Sequence, residues 1–311
     1  MLAELVLRTS KLRTLDLETC ELGDEGVSRL IDAICGKPAA LRHLYLNANG
    51  IGQKSCASLG KYLADPICTL ESLFLSTNPI GDAGISALAP GLAKNISIKR
   101  IALASTGLTS KGVCELATAL SGGDHTLVAL NLSASLTTLA HGQKFNYLDD
   151  TCIDALKSLI TSPSMRWLDL GRTVLSATGL QDIRSAVGRS ELVCFNAHRV
   201  KIAGVNTDGP TNFYDTEMVP KSCSLEVRTQ VSKNQAKYFP QFDNYNEFLN
   251  SDECRYLRNT SDVRQIDSMY RTRARRFHDT EDAVWKDGDP VWKLILEDAK
   301  KWEDNSIEVV G

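Results

Sequence analysis

One eleven-residue frame, recurring at nearly constant spacing, restricts this chain more than any other feature. Its clearest copy covers residues 70–80 and reads L-x-x-L-x-L-x-x-N-x-I, with Leu70, Leu73, Leu75, Asn78 and Ile80 at the fixed places. Further copies start at Leu12, Leu41, Ile98, Leu127, Met165 and, degraded, Leu192, so successive starts lie 29, 29, 28, 29, 38 and 27 residues apart. Each frame is followed by apolar residues at helical spacing, as in residues 82–92. A short strand and one helix cannot bury their own apolar faces, so each unit needs a copy on either side.

Alternation along a strand sends frame positions one, four and six into the core and positions three, five and seven to the opposite face. The predicted strand centres are Leu15, Leu44, Leu73, Ile101, Leu130 and Leu168. Position nine holds Cys20, Asn49, Asn78, Thr106, Ser135 and Thr173, side chains able to bond the backbone of neighbouring turns. Asp24, Asp82 and Ser110 stand where helices begin and read as N-caps. Pro90 falls inside a predicted helix and should kink or shorten it. Residues 2–9 match the helix tail that precedes each later strand, which predicts a short capping helix.

These repeats resemble the leucine-rich repeats of the ribonuclease-inhibitor-like class, which includes the activators of the Ran GTPase. The resemblance covers about residues 2–204. It implies a right-handed α/β solenoid bent into a horseshoe arc, parallel strands inside and helices outside. Residues 1–204 then form about six to seven repeats, residues 205–240 a linker with an extra strand expected near 225–231, and residues 241–311 a helical cap on the last repeat. Helical patterns cover 245–257, 262–277 and 289–302.

In such an arc positions three, five and seven line the concave surface, and a partner protein is expected there. Tyr45 and Phe74 are neighbouring aromatics at position five, with Trp167 and Asp169 further along, beyond a floor of small residues. Two readings stand: the aromatics face solvent and hold a partner, or the chain's own C-terminal part covers them. The fifth repeat is about ten residues too long, with the excess placed near residues 137–146. Insertions in repeat proteins gather on one rim, which nominates His141, Lys144 and Phe145 as further contacts, against drift of a tolerant loop.

The remaining features narrow the class by what they lack. No G-x-x-x-x-G-K-[ST], H-E-x-x-H, G-x-S-x-G or Rossmann glycine fingerprint occurs, so no catalytic, cofactor or metal residue is nominated and the chain is read as a non-enzyme. The nine cysteines show no C-x-x-C spacing and the N-terminus has no signal-peptide pattern, which places reduced thiols in the cytoplasm or nucleus. No apolar run reaches the ~20 residues of a membrane helix. Residues 205–311 carry 15 Lys and Arg against 20 Asp and Glu, yet 270–277 is locally basic. The leading reading is a protein-interaction scaffold with no cofactor. The alternatives are a GTPase activator acting on a small GTPase, which the resemblance admits, and an RNA- or ribonuclease-associated binder using 270–277. Acidic flanks and the lack of a nucleic-acid motif weigh against the last.

Overall fold

The structure, a computed structural model, describes residues 2–9, 11–121, 126–133, 144–201, 217–218 and 225–257. Helix α1 (Leu2–Arg8) precedes a regular alternation of β1 (Thr14–Asp16), α2 (Gly23–Ile34), β2 (His43–Tyr45), α3 (Gln53–Leu63), β3 (Ser72–Phe74), α4 (Gly81–Leu92), β4 (Arg100–Ala102), α5 (Ser110–Ser121) and β5 (Ala129–Asn131). A 3-10 turn (Asp150–Cys152) leads into α6 (Ile153–Ile160), then β6 (Trp167–Thr173), α7 (Ala177–Val187) and β7 (Cys194–Lys201). Strands β1 to β7 pair in parallel, in chain order, and β8 (Glu217–Met218) adds antiparallel to β7. The register runs Leu15, Leu44, Leu73, Ile101, Leu130, Leu168, Phe195, so all six predicted centres lie in one row. This is the expected α/β solenoid: an open parallel sheet alternating with helices, followed by C-terminal helices.

The core is what the frame predicts. Positions one, four and six of the second, third and fourth repeats (Leu41, Leu44, Leu46; Leu70, Leu73, Leu75; Ile98, Ile101, Leu103) are buried and join one continuous cluster with the inner helix faces. Adjacent helices approach closely where small residues meet. A Cβ on Gly91 would lie 2.0 Å from the Gly60 carbonyl oxygen, so α3 and α4 pack backbone to backbone there. Pro90 neither shortens nor ends α4, which spans 12 residues like α2 and α5. Pro90 falls in the final turn, so its missing N–H removes a helical bond only near the end of α4.

The turns are held by side chains that serve the preceding repeat. Asn78 Nδ2 donates to the carbonyls of Leu46 (3.0 Å), Leu75 (2.8 Å) and Ser76 (3.2 Å), while its Oδ1 accepts from the N–H groups of Asn49 (2.8 Å) and Ile51 (3.0 Å). Asn49 closes the first turn in the same way, through Leu17, Asn47 and Leu22. Helix starts are also held across repeats, here by the repeat before, which corrects the N-cap reading of the acidic residues. Leu22 and Ile80, not the aspartates, stand at the N-caps of α2 and α4. Asp24 instead accepts from the N–H groups of Gly52, Lys54 and Ser55 at the start of α3, and Asp82 from those of Thr109 and Gly112 at the start of α5. Burial opposes the Asp24 charge, but the hydrogen bonds from Ser55, Gly52 and Lys54 outweigh it and hold the carboxyl below its ordinary range.

The end of the stack is closed by imitation. Thr69 Oγ1 donates to the carbonyls of Ala39 and Leu41, and Thr126 Oγ1 to those of Ile96 and Ile98, each bridging back to the preceding repeat. At the corresponding carbonyls of the seventh frame, Ser190 and Leu192, the donor is Asn234 Nδ2, at 2.8 Å to both. Asn234 belongs to α8 (Leu225–Tyr238), whose Val227 and Val231 complete the main core. The strand expected at 225–231 is therefore a helix. Val227, Val231 and Asn234 share its buried face at helical spacing, and the alternation at the start of the segment is fortuitous.

Past α8 the pattern 245–257 forms two short helices, α9 (Tyr245–Leu249) and α10 (Asp252–Leu257), where one was expected. Ser251 breaks the run, its Oγ accepting from the Cys254 N–H. The helical patterns 262–277 and 289–302 lie outside the described residues.

Candidate functional site

Position five allowed two readings, aromatics facing solvent or aromatics covered by the chain itself, and the rings are buried. Tyr45 is 4% exposed and Phe74 1%, and together with Ala102 they form a small apolar cluster separate from the main core. The register pairs Tyr45 with Phe74 and Phe74 with Ala102. The two rings stack nearly parallel, 4.1 Å between centroids and 9° between planes, a closer approach than the roughly 4.5–7 Å usual for aromatic pairs. The strand alternation does send both rings off the core side, as expected; the correction concerns their accessibility.

Beside them, position three builds a buried polar chain. Arg100, 3% exposed, donates from Nε to Ser72 Oγ at 2.8 Å, and Ser72 Oγ lies 3.0 Å from His43 Nδ1. The Arg100 guanidinium carbon lies 5.3 Å from the Phe74 ring centroid and 3.6 Å from that of Tyr256, and Nη1 donates to the Tyr256 carbonyl at 2.6 Å. Among the described residues no carboxylate pairs with Arg100. The nearby Glu71 is shared instead by Arg42 and Lys99. Burial, then the Arg100 charge, push the His43 imidazole down to about 4, so it is neutral at physiological pH.

Tyr256 belongs to α10, so the C-terminal segment reaches the strand face. Phe248, Cys254 and Leu257 are buried against Ala129, Val193 and Cys194, with Val128 and Trp167 packed alongside. Phe248 sits among Phe239, Phe242 and Tyr245, at ring distances of 4.8, 5.9 and 6.0 Å. Tyr245 Oη donates to the Val193 carbonyl at 2.8 Å. The segment after α8 thus both follows the cap and lies over the first residues of β4 to β7. The remainder of the face at β5 to β7 is polar and half-exposed. Asn131 and Ser133 bond each other there, and Asp169 accepts from Asn196 Nδ2 at 2.8 Å and from the Gly171 N–H. Burial raises the Asp169 carboxyl, and these two hydrogen bonds oppose it.

The nominated rim residues separate. Lys144 is exposed, Phe145 is buried, and His141 lies outside the described residues. The structural row needs one reassignment. Asn146, not Ser135, holds the ladder place of the fifth repeat, and Ser135 lies outside the described residues. Asn146 Oδ1 accepts from the N–H groups of Thr106 and Leu108, and its Nδ2 donates to the carbonyls of Leu103 and Leu132. The extra residues are inserted between frame positions eight and nine, and N-x-[IL] in Asn49–Ile51, Asn78–Ile80 and 146–148 was the signal that could have found this. Thr106 joins Asn146 at 3.1 Å, Thr173 Oγ1 donates to the His198 carbonyl, and Cys20 is exposed at the first repeat.

Among the described residues no group of three His, Cys, Asp or Glu is placed to hold a metal ion, and no helix is long and apolar enough to cross a membrane. The basic stretch 270–277 lies outside the described residues.

Comparison with known proteins agrees with the repeat pattern. The family model described as "Leucine Rich repeat" matches residues 10–30 and 67–89. Among solved structures, "Leiomodin-1 Actin-Binding Site 2 (ABS2)" is similar at 17% identity and a TM-score of 0.36, over 47% of this chain and 78% of that one. A search of curated proteins finds no match. The chain carries leucine-rich repeats, whose strands β1 to β7 stack in parallel and alternate with helices.

Proposed function

We propose that this chain is a protein-interaction scaffold that binds a protein partner through the strand face and its rim. The observation that carries this reading is that the strand face already accepts helices: α9 and α10 rest on β4 to β7 through buried aromatic and aliphatic side chains. A face of that composition, with stacked aromatics and an arginine at its centre, has the chemistry of protein interfaces. The 27–29-residue spacing keeps the ribonuclease-inhibitor-like class as the nearest type of repeat. Eight described cysteines are free thiols, which supports a reducing compartment, the cytoplasm or nucleus.

Photo-crosslinking tests the reading. A crosslinking amino acid at Asp16 or Asn131 on the strand face should capture one protein, saturably, from a cell extract. The same group at Lys61 or Lys111, exposed on the helical side, should capture none. Equal capture from both sides would refute it.

A further inference from the structure

Arg100 is the least expected group on the strand face. It is a guanidinium, nine-tenths buried or more, held by a hydroxyl, a backbone carbonyl and two aromatic rings, and by no carboxylate among the described residues. An arginine presents a planar fork that matches a carboxylate with two parallel hydrogen bonds, and burial strengthens that pairing. Here α10 fills the place with the Tyr256 carbonyl, a neutral acceptor, and with the Tyr256 ring, the residue as a whole being 40% exposed.

The segment supplying these groups is weakly self-supporting. Helices α9 and α10 have 5 and 6 residues, under two turns each, too short to hold a helical form without packing. Phe248, Cys254 and Leu257 are their buried apolar anchors on the solenoid, with Tyr245 half-buried beside them. By contrast α8 is built into the main core and closes the last repeat through Asn234. The cap and the segment lying on the strand face are thus distinct in how they are held, and local opening is drawn from the second kind.

From this juxtaposition we propose that residues 245–257 are a self-ligand. They occupy the partner site around Arg100 and Phe74, and the partner that displaces them is a protein segment carrying an aromatic ring and a carboxylate, the carboxylate pairing with Arg100. This rests on the scaffold reading and adds its partner chemistry. A tethered ligand competes at high effective concentration, so the partner's apparent affinity is reduced by the fraction of time the site is covered.

The test uses the full chain and two labelled peptides. One peptide has the sequence of residues 241–257; the other is the same with Tyr256→Glu. The full chain is prepared as wild type and as Phe248→Ala/Tyr256→Ala, which removes one anchor and the ring on Arg100. Both peptides should bind the double variant at least ~10-fold more tightly than wild type. The acidic peptide should bind at least as tightly as the other, and adding Arg100→Lys, which keeps charge and loses the fork, should weaken the acidic peptide most. The double variant should keep the melting temperature of the solenoid and gain hydrogen exchange in residues 245–257. Equal binding to wild type and variant would overturn the proposal, as would no binding to a folded variant or a collapse of solenoid melting in the double variant. If the peptides fail while strand-face crosslinks to a protein persist, the self-ligand alone is refuted. If the peptides bind and no protein crosslinks, the scaffold reading alone is refuted.

Discussion

Replacing Asn78 with leucine isolates the ladder from the hydrophobic frame. The side chain is fully buried and makes five hydrogen bonds, three donated to carbonyls and two accepted from N–H groups. Leucine has the same heavy-atom branching with bulkier methyl ends, so no cavity forms and the loss is chiefly polar, with some overpacking added. Both N–H groups, of Asn49 and Ile51, lose their acceptor in a dry turn. Each stranded donor costs about 1–3 kcal/mol, and the carbonyls, with second lone pairs, cost less. The expected loss is therefore about 2–6 kcal/mol. For a body near 200 residues this lowers the melting temperature on the order of 5–20 °C. The control is Asn131→Ala. Asn131 is half-exposed, and its Oδ1 accepts only from the Ser133 N–H and hydroxyl, groups water can reach, so its loss should stay below about 1 kcal/mol. Urea and thermal denaturation followed by circular dichroism read both variants. Equal losses would show that the turns are not closed by this amide and that the assignment of faces is wrong.

Four further outcomes are expected. Asn146→Leu should match Asn78→Leu in cost while Ser135→Ala is neutral by urea midpoint; the reverse ranking would restore Ser135 to the ladder. Gly112→Ala should destabilise by about 1–3 kcal/mol, because its Cβ would lie 2.4 Å from Asp82 Oδ1, the carboxylate that caps α5; an unchanged melting curve would sink the inter-repeat cap. Phe74→Ala should cost about 3–5 kcal/mol, since the ring is buried between Tyr45 and Arg100; a loss below 1 kcal/mol would mean the site is open. His43 has a folded pKa near 4 against 6.5 unfolded, so between those values the unfolded chain binds the extra proton and stability falls as pH falls. Discounted for partial exposure, the effect is on the order of 1–2 kcal/mol, and His43→Gln should flatten the stability profile from pH 6.5 to 4.

The solenoid was legible because its information is local and repeated. A leucine at Leu73 fixes a strand centre only weakly, but large aliphatic residues in register with it at Leu15, Leu44, Ile101, Leu130 and Leu168 leave one topology. The misreadings arise where one repeat acts on another. Asp24 and Asp82 stand at the starts of their own helices, yet their carboxylates cap the next ones, because stacking places the following turn over them. A single-repeat view cannot distinguish the two uses. Asn146 was hidden because an insertion split the frame between positions eight and nine, so counting forward from Leu127 lands on Ser135. Counting backward from Leu148, a buried residue equivalent to Ile51 and Ile80, lands on the asparagine.

The strand face was harder to read for a different reason. Alternation decides by which side a residue leaves its strand, and it correctly sends Tyr45, Phe74 and Arg100 off the core. It does not say what meets them, and α10 arrives from more than 150 residues away, with Tyr256 reaching Arg100. The composition of the face carried a hint. A solvent-exposed strand face has no need for stacked aromatics beside a row of small residues at Ala102, Ala104 and Ala129, because flat apolar surface exposed to water is a liability. Small side chains lower a floor so that another element can approach, and Ala129 is fully buried beneath the Phe248 cluster for that reason. Arg100 argues the same way. An arginine on an open face would be hydrated and indifferent to its neighbours, whereas one set between two rings and a carbonyl is shaped for a covering segment. The pattern of small, aromatic and cationic residues therefore identifies a surface built to be covered, and only the tertiary structure shows which part of the chain covers it.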